Sequence, residues 1–409
     1  MQTVASKFKL LRVFLIAALY VSVFGCATQT APSAAPPAPV GQAPVSKVSP
    51  PAPAAAQPSA PLPAVGSAAV AKPAPVVVPV LPAISTEPRV PHIALLLPLK
   101  SPSFAKAADA VRLGFLAAAD KEAKGLPVRV YPCTDENTEV VALYQQALAN
   151  GAVAVAGPLT QKGVAALAAN PELKTPTLAL NMLDGTRTDN LYFFGLPPET
   201  EARQAAQRAT AAGLLSATVV STNTPLSKRL ALAFSDEWQR AGGILQSEIV
   251  YNGDPTPLKE LSQDPGNSVF LAAEIDKARL LRPYINASIP VYATSQVFSG
   301  NSNTLTNYDL ADVRFYDMPW MLQPDHPAVM IYPRAVPALS PEMDRLYALG
   351  IDAYRLLQVL LFEHNPANVM PLDGVTGKIS LNGHVFQREG ILAIMRQGQG
   401  VPIDSKSRQ

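Results

Sequence analysis

Ser103-Phe104-Ala105-Lys106 matches S-x-x-K, the spacing at which penicillin-reactive serine enzymes place a nucleophilic serine beside its base. That chemistry needs two further motifs. Thr188-Asp189-Asn190 only loosely resembles the second. Lys174-Thr175-Pro176 lacks the glycine of the third and stands in the wrong order. The tetrapeptide is short enough to arise by chance, so it reads as an N-cap serine and a solvated lysine. His92, His326, His364 and His384 contain no i, i+4 pair and no H-E-x-x-H, which argues against zinc. No P-loop is present, and no G-x-G-x-x-G follows a strand. Asp135-Glu136 is an adjacent pair of carboxylates, and such pairs in loops are usually solvated. No metal or other cofactor is expected. A formal net charge of +2 gives no reason to expect nucleic acid as a partner.

The elements that would position a site begin at His92 to Ala119. Ile93 to Leu97 is a continuous apolar run, suited to a strand buried on both faces of a parallel sheet. Pro98 ends it, and Ser101 and Ser103 offer N-cap oxygens to a helix. Phe104, Ala108, Val111, Phe115 and Ala118 or Ala119 share one face of that helix. Gly114 would let it lie close to the sheet. The loop of this βα unit sits at the carboxyl end of its strand, where open α/β sheets bind ligands.

The chain before Arg89 reads as delivery. Lys7, Lys9 and Arg12 form a basic region, and Val13 to Phe24 an apolar one too short to span a membrane comfortably. It ends in Val23-Phe24-Gly25-Cys26, which looks like a bacterial lipobox with Cys26 acylated; an ordinary secretory signal is the alternative. Ala27 rather than aspartate after the cysteine resembles lipoproteins sorted to the outer membrane. With Cys26 lipidated, Cys133 stands alone, so an intramolecular disulfide is excluded and Cys133 reads as a small buried residue. Residues 27–88 are rich in proline, alanine, valine and serine, with Lys47 and Lys72 the only charges before Glu87. Such a segment cannot bury enough apolar surface to order itself. At ~3.1 Å per residue, ~60 extended residues reach on the order of 180 Å, a semi-rigid spacer; a proline-rich ligand for a partner domain is the other reading.

From Arg89 onward, strands and helices alternate, which implies parallel sheets, and the units are too many for one sheet of ordinary width. The fold class expected is α/β with two doubly wound lobes. Near the end Asn382-Gly383 lies between Thr376 to Leu381 and Val385 to Gln387, a strong hairpin signal. A further strand, Ile391 to Met395, follows.

Four pieces carry a family resemblance. IALLLPL with SFAKAADAVRLGFLAAA, VAVAGPL at Val153 to Leu159, RLYALGIDAYRL at Arg345 to Leu356, and LDGVTGKISLNGHVFQREG at Leu372 to Gly390 are similar to the penicillin-binding protein activator family (LpoA, also called LppC). The resemblance covers about 89–400. It implies a type I periplasmic substrate-binding-protein-like domain, two lobes joined by three crossings with a cleft between them. It further implies a non-enzymatic lipoprotein of the outer membrane, facing the periplasm, whose partner is a class A penicillin-binding protein that builds peptidoglycan. The best-known members carry an N-terminal helical-repeat domain where this chain has its proline/alanine tether. The implied division is lobe 1 at about 89–195 and 320–368, lobe 2 at about 196–319 and 369–400, and a tail at 401–409. In such a fold the loops after strands face the cleft, so its candidate binding residues are Ser101, Ser103, Thr134, Asp135, Thr160 and Gln161, with Asn223, Glu274 and Ser295 from the second lobe. Each has the alternative reading of an ordinary cap or turn residue. Trp320, Met321 and Tyr332, in a proline-broken stretch, are candidate interface anchors or else part of a crossing packed on the core. Capture of an amino acid or wall fragment in the cleft is the second functional reading.

Overall fold

The computed structural model describes residues 89–121, 125–170, 172–183, 185 and 188–403. The lipidation candidate Cys26, the leader at 1–26 and the tether at 27–88 lie outside the described residues.

The chain alternates as expected. β1 (His92–Leu97), α1 (Ala105–Ala119), β2 (Val128–Pro132), α2 (Glu136–Ala149), β3 (Ala152–Ala156), α3 (Gln161–Ala168), β4 (Thr177–Ala179) and β5 (Leu191–Phe193) open the first lobe. The second lobe then runs through α4 (Pro198–Ala211), β6 (Ser216–Ser221), α5 (Pro225–Arg240), β7 (Ile244–Val250), α6 (Thr256–Lys259), β8 (Asn267–Ala272), α7 (Ile275–Leu281), β9 (Val291–Ala293), α8 (Thr304–Asn307) and β10 (Val313–Asp317). A crossing holds two single-turn helices, α9 (Pro319–Leu322) and α10 (Pro327–Met330). The chain returns with α11 (Pro341–Phe362), β11 (Leu372–Asp373), β12 (Lys378–Asn382) and β13 (Val385–Glu389), then crosses again to β14 (Ile391–Arg396) and β15 (Gln399–Pro402).

One sheet has the order β11-β12-β13-β5-β4-β3-β1-β2 and the other β15-β14-β10-β9-β8-β6-β7. In each, the first strand lies between the second and third, so the order reverses at β1/β3 and at β6/β8. Apolar clusters occupy both faces of each sheet. β1 is wholly buried, as its unbroken apolar run predicts for a central parallel strand.

Four sequence expectations change. Residues 369–389 belong to the first lobe's sheet, because β13 runs parallel to β5 with Val385 opposite Phe193, and the His384 ring stacks on Tyr192. The end of the chain is not all tail, since β15 pairs antiparallel with β14 through Pro402. Neither Ser101 nor Ser103 caps α1: the cap position is Phe104, which is 47% exposed rather than on the buried face. Gly114 meets a helix, not the sheet. A Cβ there would stand 1.8 Å from the Tyr347 carbonyl oxygen of α11, and one on Gly350 would stand 2.1 Å from that of Val111. The two glycines let α1 and α11 cross backbone to backbone.

Candidate functional site

The strand ends at the two reversal points are built from local caps. Asp135 caps α2 by accepting from Asn137 N–H, while the Glu139 carboxylate accepts from the backbone N–H groups of Thr134 and Asp135 at 3.1 and 2.8 Å. Thr160 caps α3 through Gly163 N–H, and Gln161 is exposed. Ser101 is buried and its carbonyl accepts from Ala105 N–H; Ser103 is exposed. Asn223 is exposed, and Glu274 accepts a 3.5 Å bond from Thr224 Oγ1. The cap-and-turn reading therefore describes most of the nine candidates.

Glu136, which the sequence offered only as half of a solvated pair, is the feature missed. It is 2% exposed, and its two carboxylate oxygens accept from Leu159 and Thr160 N–H at 2.9 and 2.6 Å. Those N–H groups lie in the loop between β3 and α3, just ahead of the helix, at the carboxyl end of a strand where open α/β sheets bind ligands. The chain's own carboxylate takes both of these donors. Burial raises the Glu136 carboxyl above its ordinary value, against the opposing pull of Thr160 and Leu159. Its trace in the sequence is Gly163 in the first turn of α3, where a Cβ would stand 2.6 Å from Glu136 Cβ.

Ser295 is not a cleft residue but a link in a buried polar junction between the lobes. Its N–H donates to Glu201 of α4 at 2.8 Å, and its carbonyl accepts from the Arg345 guanidinium of α11 at 3.2 Å. Arg345 also binds Asp317, at the end of β10, at 2.6 Å and the Phe298 carbonyl at 2.9 Å. Glu201 in turn pairs with Arg388 of β13. Burial pulls the Arg345 guanidinium down, but Asp317 outweighs it and holds Arg345 above its ordinary value, so the guanidinium stays charged. Nearby, Asp352 of α11 accepts from Val375 N–H, Thr376 N–H and Thr376 Oγ1. Three crossings and two buried ion pairs thus fasten lobe to lobe.

The proline-broken crossing sits partly in the core. Trp320 is 1% exposed, donates from Nε1 to Asp344 at 2.8 Å and lies under the Arg334 guanidinium at 3.7 Å. It is a packing residue, which removes it as an interface anchor. Met321 and Tyr332 are half-buried; the exposed apolar side chains of this segment are Met330, Ile331 and Val336.

Nothing here equips Ser103 for nucleophilic attack. It precedes α1, no hydrogen bond joins it to exposed Lys106, and Lys174 pairs with Glu172 on the surface. Among the described residues, no group of three His, Cys, Asp or Glu side chains is placed to hold a metal ion. Cys133 is buried, its thiol donates to the Leu97 carbonyl, and burial with the nearby Glu136, Glu139 and Asp135 pushes it up to about 12. A cavity of about 930 Å³ opens between α4, α5 and the β12–β13 hairpin, and none of the nine candidates lines it.

Two doubly wound lobes with three crossings define the type I periplasmic substrate-binding class of fold. Within that class, the chain belongs to the LppC family: residues 66–264 and 258–391 match the family described as "LppC putative lipoprotein". Penicillin-binding protein activator LpoA of Photobacterium profundum is 28% identical over 340 residues, 73% of this chain and 54% of that protein. The chain spans little more than half the length of such relatives. The C-domain of LpoA from Haemophilus influenzae, described as a regulator of PBP1A, is 26% identical with a TM-score of 0.64, over 76% of this chain and 99% of that domain. A protein of Chromobacterium violaceum named a "putative branched-chain amino acid ABC transporter" is 36% identical with a TM-score of 0.66, over 75% of this chain and all of that one.

Proposed function

We propose that this protein is a lipid-anchored activator of a class A penicillin-binding protein. It works by contact, from the periplasmic face of the outer membrane, with Cys26 as the acylated residue and residues 27–88 as the spacer. The observation that carries the reading is the near-complete coverage of a domain described as a regulator of a penicillin-binding protein. A body cross-linked by Arg345–Asp317 and Arg388–Glu201 offers a preformed surface. Such a surface favours whichever synthase conformation it binds better, a shift of population that needs no chemistry of its own.

Solute capture between the lobes is the second reading, favoured by the name of the Chromobacterium protein. Glu136 stands against it, because a ligand carboxylate would have to displace a buried one from Leu159 and Thr160. The test is the rate of glycan polymerisation and cross-linking by a class A synthase of the same organism. Acceleration by the purified protein supports activation; no effect at saturation removes it. A thermal-shift screen with amino acids and wall peptides tests the second reading, since tight binding raises Tm by mass action.

A further inference from the structure

Arg112 is neutralised by Asp109 and Arg229 by Glu199. The arginines of α4 are not paired in this way. Arg203 and Arg208 of α4 and Lys378 of β12 line the 930 Å³ cavity, and no carboxylate of the described residues lies within ion-pair distance of any of them. Two carboxylates line the same cavity. Glu237 is engaged by Arg240 and by Gln207, which leaves Glu389 against three free cations. Arg208 also lines a second cavity, of about 570 Å³, with Arg314 and Arg396 on the second lobe's sheet. The two cavities therefore form one basic strip, from the hairpin of the first lobe across α4 to β14.

The floor of the strip carries donors without partners. Tyr316 lines the first cavity and Tyr292 the second; they are 9% and 4% exposed, and neither hydroxyl makes a hydrogen bond among the described residues. Burial raises both phenols above their ordinary value, with Arg208 pulling each back, so both remain protonated donors near that guanidinium. Protonated phenols and unpaired guanidinium groups both favour a carboxylate acceptor. Apolar Phe386, Leu392 and Ile394 between them suit the stem of a peptide rather than a lone ion.

We propose that this strip is a docking groove for an extended acidic peptide segment of a partner protein. Charge complementarity identifies the occupant: the groove holds an excess of fixed cations with carboxylate-seeking donors beneath them. Its length across two cavities requires several carboxylates in sequence. The inference does not require that the partner be a synthase, so it stands or falls separately from the activator reading.

The test uses the full chain and a fluorescein-labelled hexaglutamate probe, read by anisotropy at low ionic strength. Two variants carry the same net charge. One is Arg203→Glu/Arg208→Glu/Lys378→Glu; the other is Lys106→Glu/Lys162→Glu/Lys277→Glu, at exposed positions off the strip. The protein and the second variant should bind alike, with affinity falling as salt rises, and the first variant should bind about tenfold or more weakly. Should the first variant not fold, Arg203→Ala and Lys378→Ala singly should each weaken binding severalfold. Equal loss in both triple variants, no binding by the parent, or displacement by free glutamate as effective as by unlabelled hexaglutamate would each overturn the proposal. The last result would mean a solute pocket instead.

Discussion

Arg345→Met isolates the junction that fixes the lobes. The substitution keeps the apolar stem and removes the guanidinium. Asp317, 0% exposed, is left as an uncompensated buried carboxylate, and the Ser295 and Phe298 carbonyls each lose a donor. Removing one partner of a buried pair costs about 3–5 kcal/mol. The folded unit has roughly 310 residues from β1 to β15. At ~2.1 cal/mol/K per residue its unfolding entropy is ~0.65 kcal/mol/K, so Tm should fall by about 5–8 °C. Adding Asp317→Asn removes the orphaned charge yet leaves the two carbonyls without Arg345, so the double variant should recover about half of the loss. Differential scanning calorimetry at neutral pH reads both. A Tm for Arg345→Met within a degree of the parent would refute the view that this pair holds the crossing, as would a double variant less stable than the single.

Three further outcomes are expected. The raised Glu136 carboxyl binds its proton more tightly folded than unfolded, so folding stability gained at low pH is lost as pH rises from about 4.5 through the folded value. The Tm difference between parent and Glu136→Gln should thus be more favourable to the parent at pH 4.5 than at neutral pH; the opposite trend in paired melts would contradict the buried placement. Cys133, with its thiol raised to about 12, should resist iodoacetamide at pH 8 until the protein is unfolded, as mass spectrometry would record. Gly350→Ala drives a methyl to 2.1 Å from the Val111 carbonyl oxygen, where backbone must move. It should lower stability by about 1–3 kcal/mol or more, against a neutral result if α1 and α11 were loosely packed.

Much of the architecture was readable in the residues because the relevant forces are local. The unbroken run of β1 dictates a central strand, and Asn382-Gly383 marks a hairpin whose turn falls one residue later than expected: Asn382 pairs with Val385, and Gly383-His384 form the loop with Gly383 at positive φ. What escaped is non-local. Nothing in the order of residues says that a hairpin following α11 joins β5 rather than the second lobe; that follows from pairing across the crossings. Trp320 has the composition of an interface anchor and the environment of a core residue, and only Asp344 and Arg334 closing over it decide between them. Glu136 and Glu139 look alike in sequence, three positions apart. Helix geometry turns one into the chain toward Leu159 and Thr160 and the other back toward its own cap. The basic strip along α4 is assembled from four separate elements, α4, β10, β12 and β14, so no motif announces it.

The claim that the two-lobed body acts by contact is tested most directly by titrating the protein against a fixed amount of class A synthase and following glycan chain growth. A contact activator gives no product alone, raises the synthase rate to a plateau near one equivalent under tight-binding conditions, and does so equally with Ser103→Ala. A rate that climbs linearly without a plateau, that persists when the synthase is omitted, or that disappears with Ser103→Ala would contradict it.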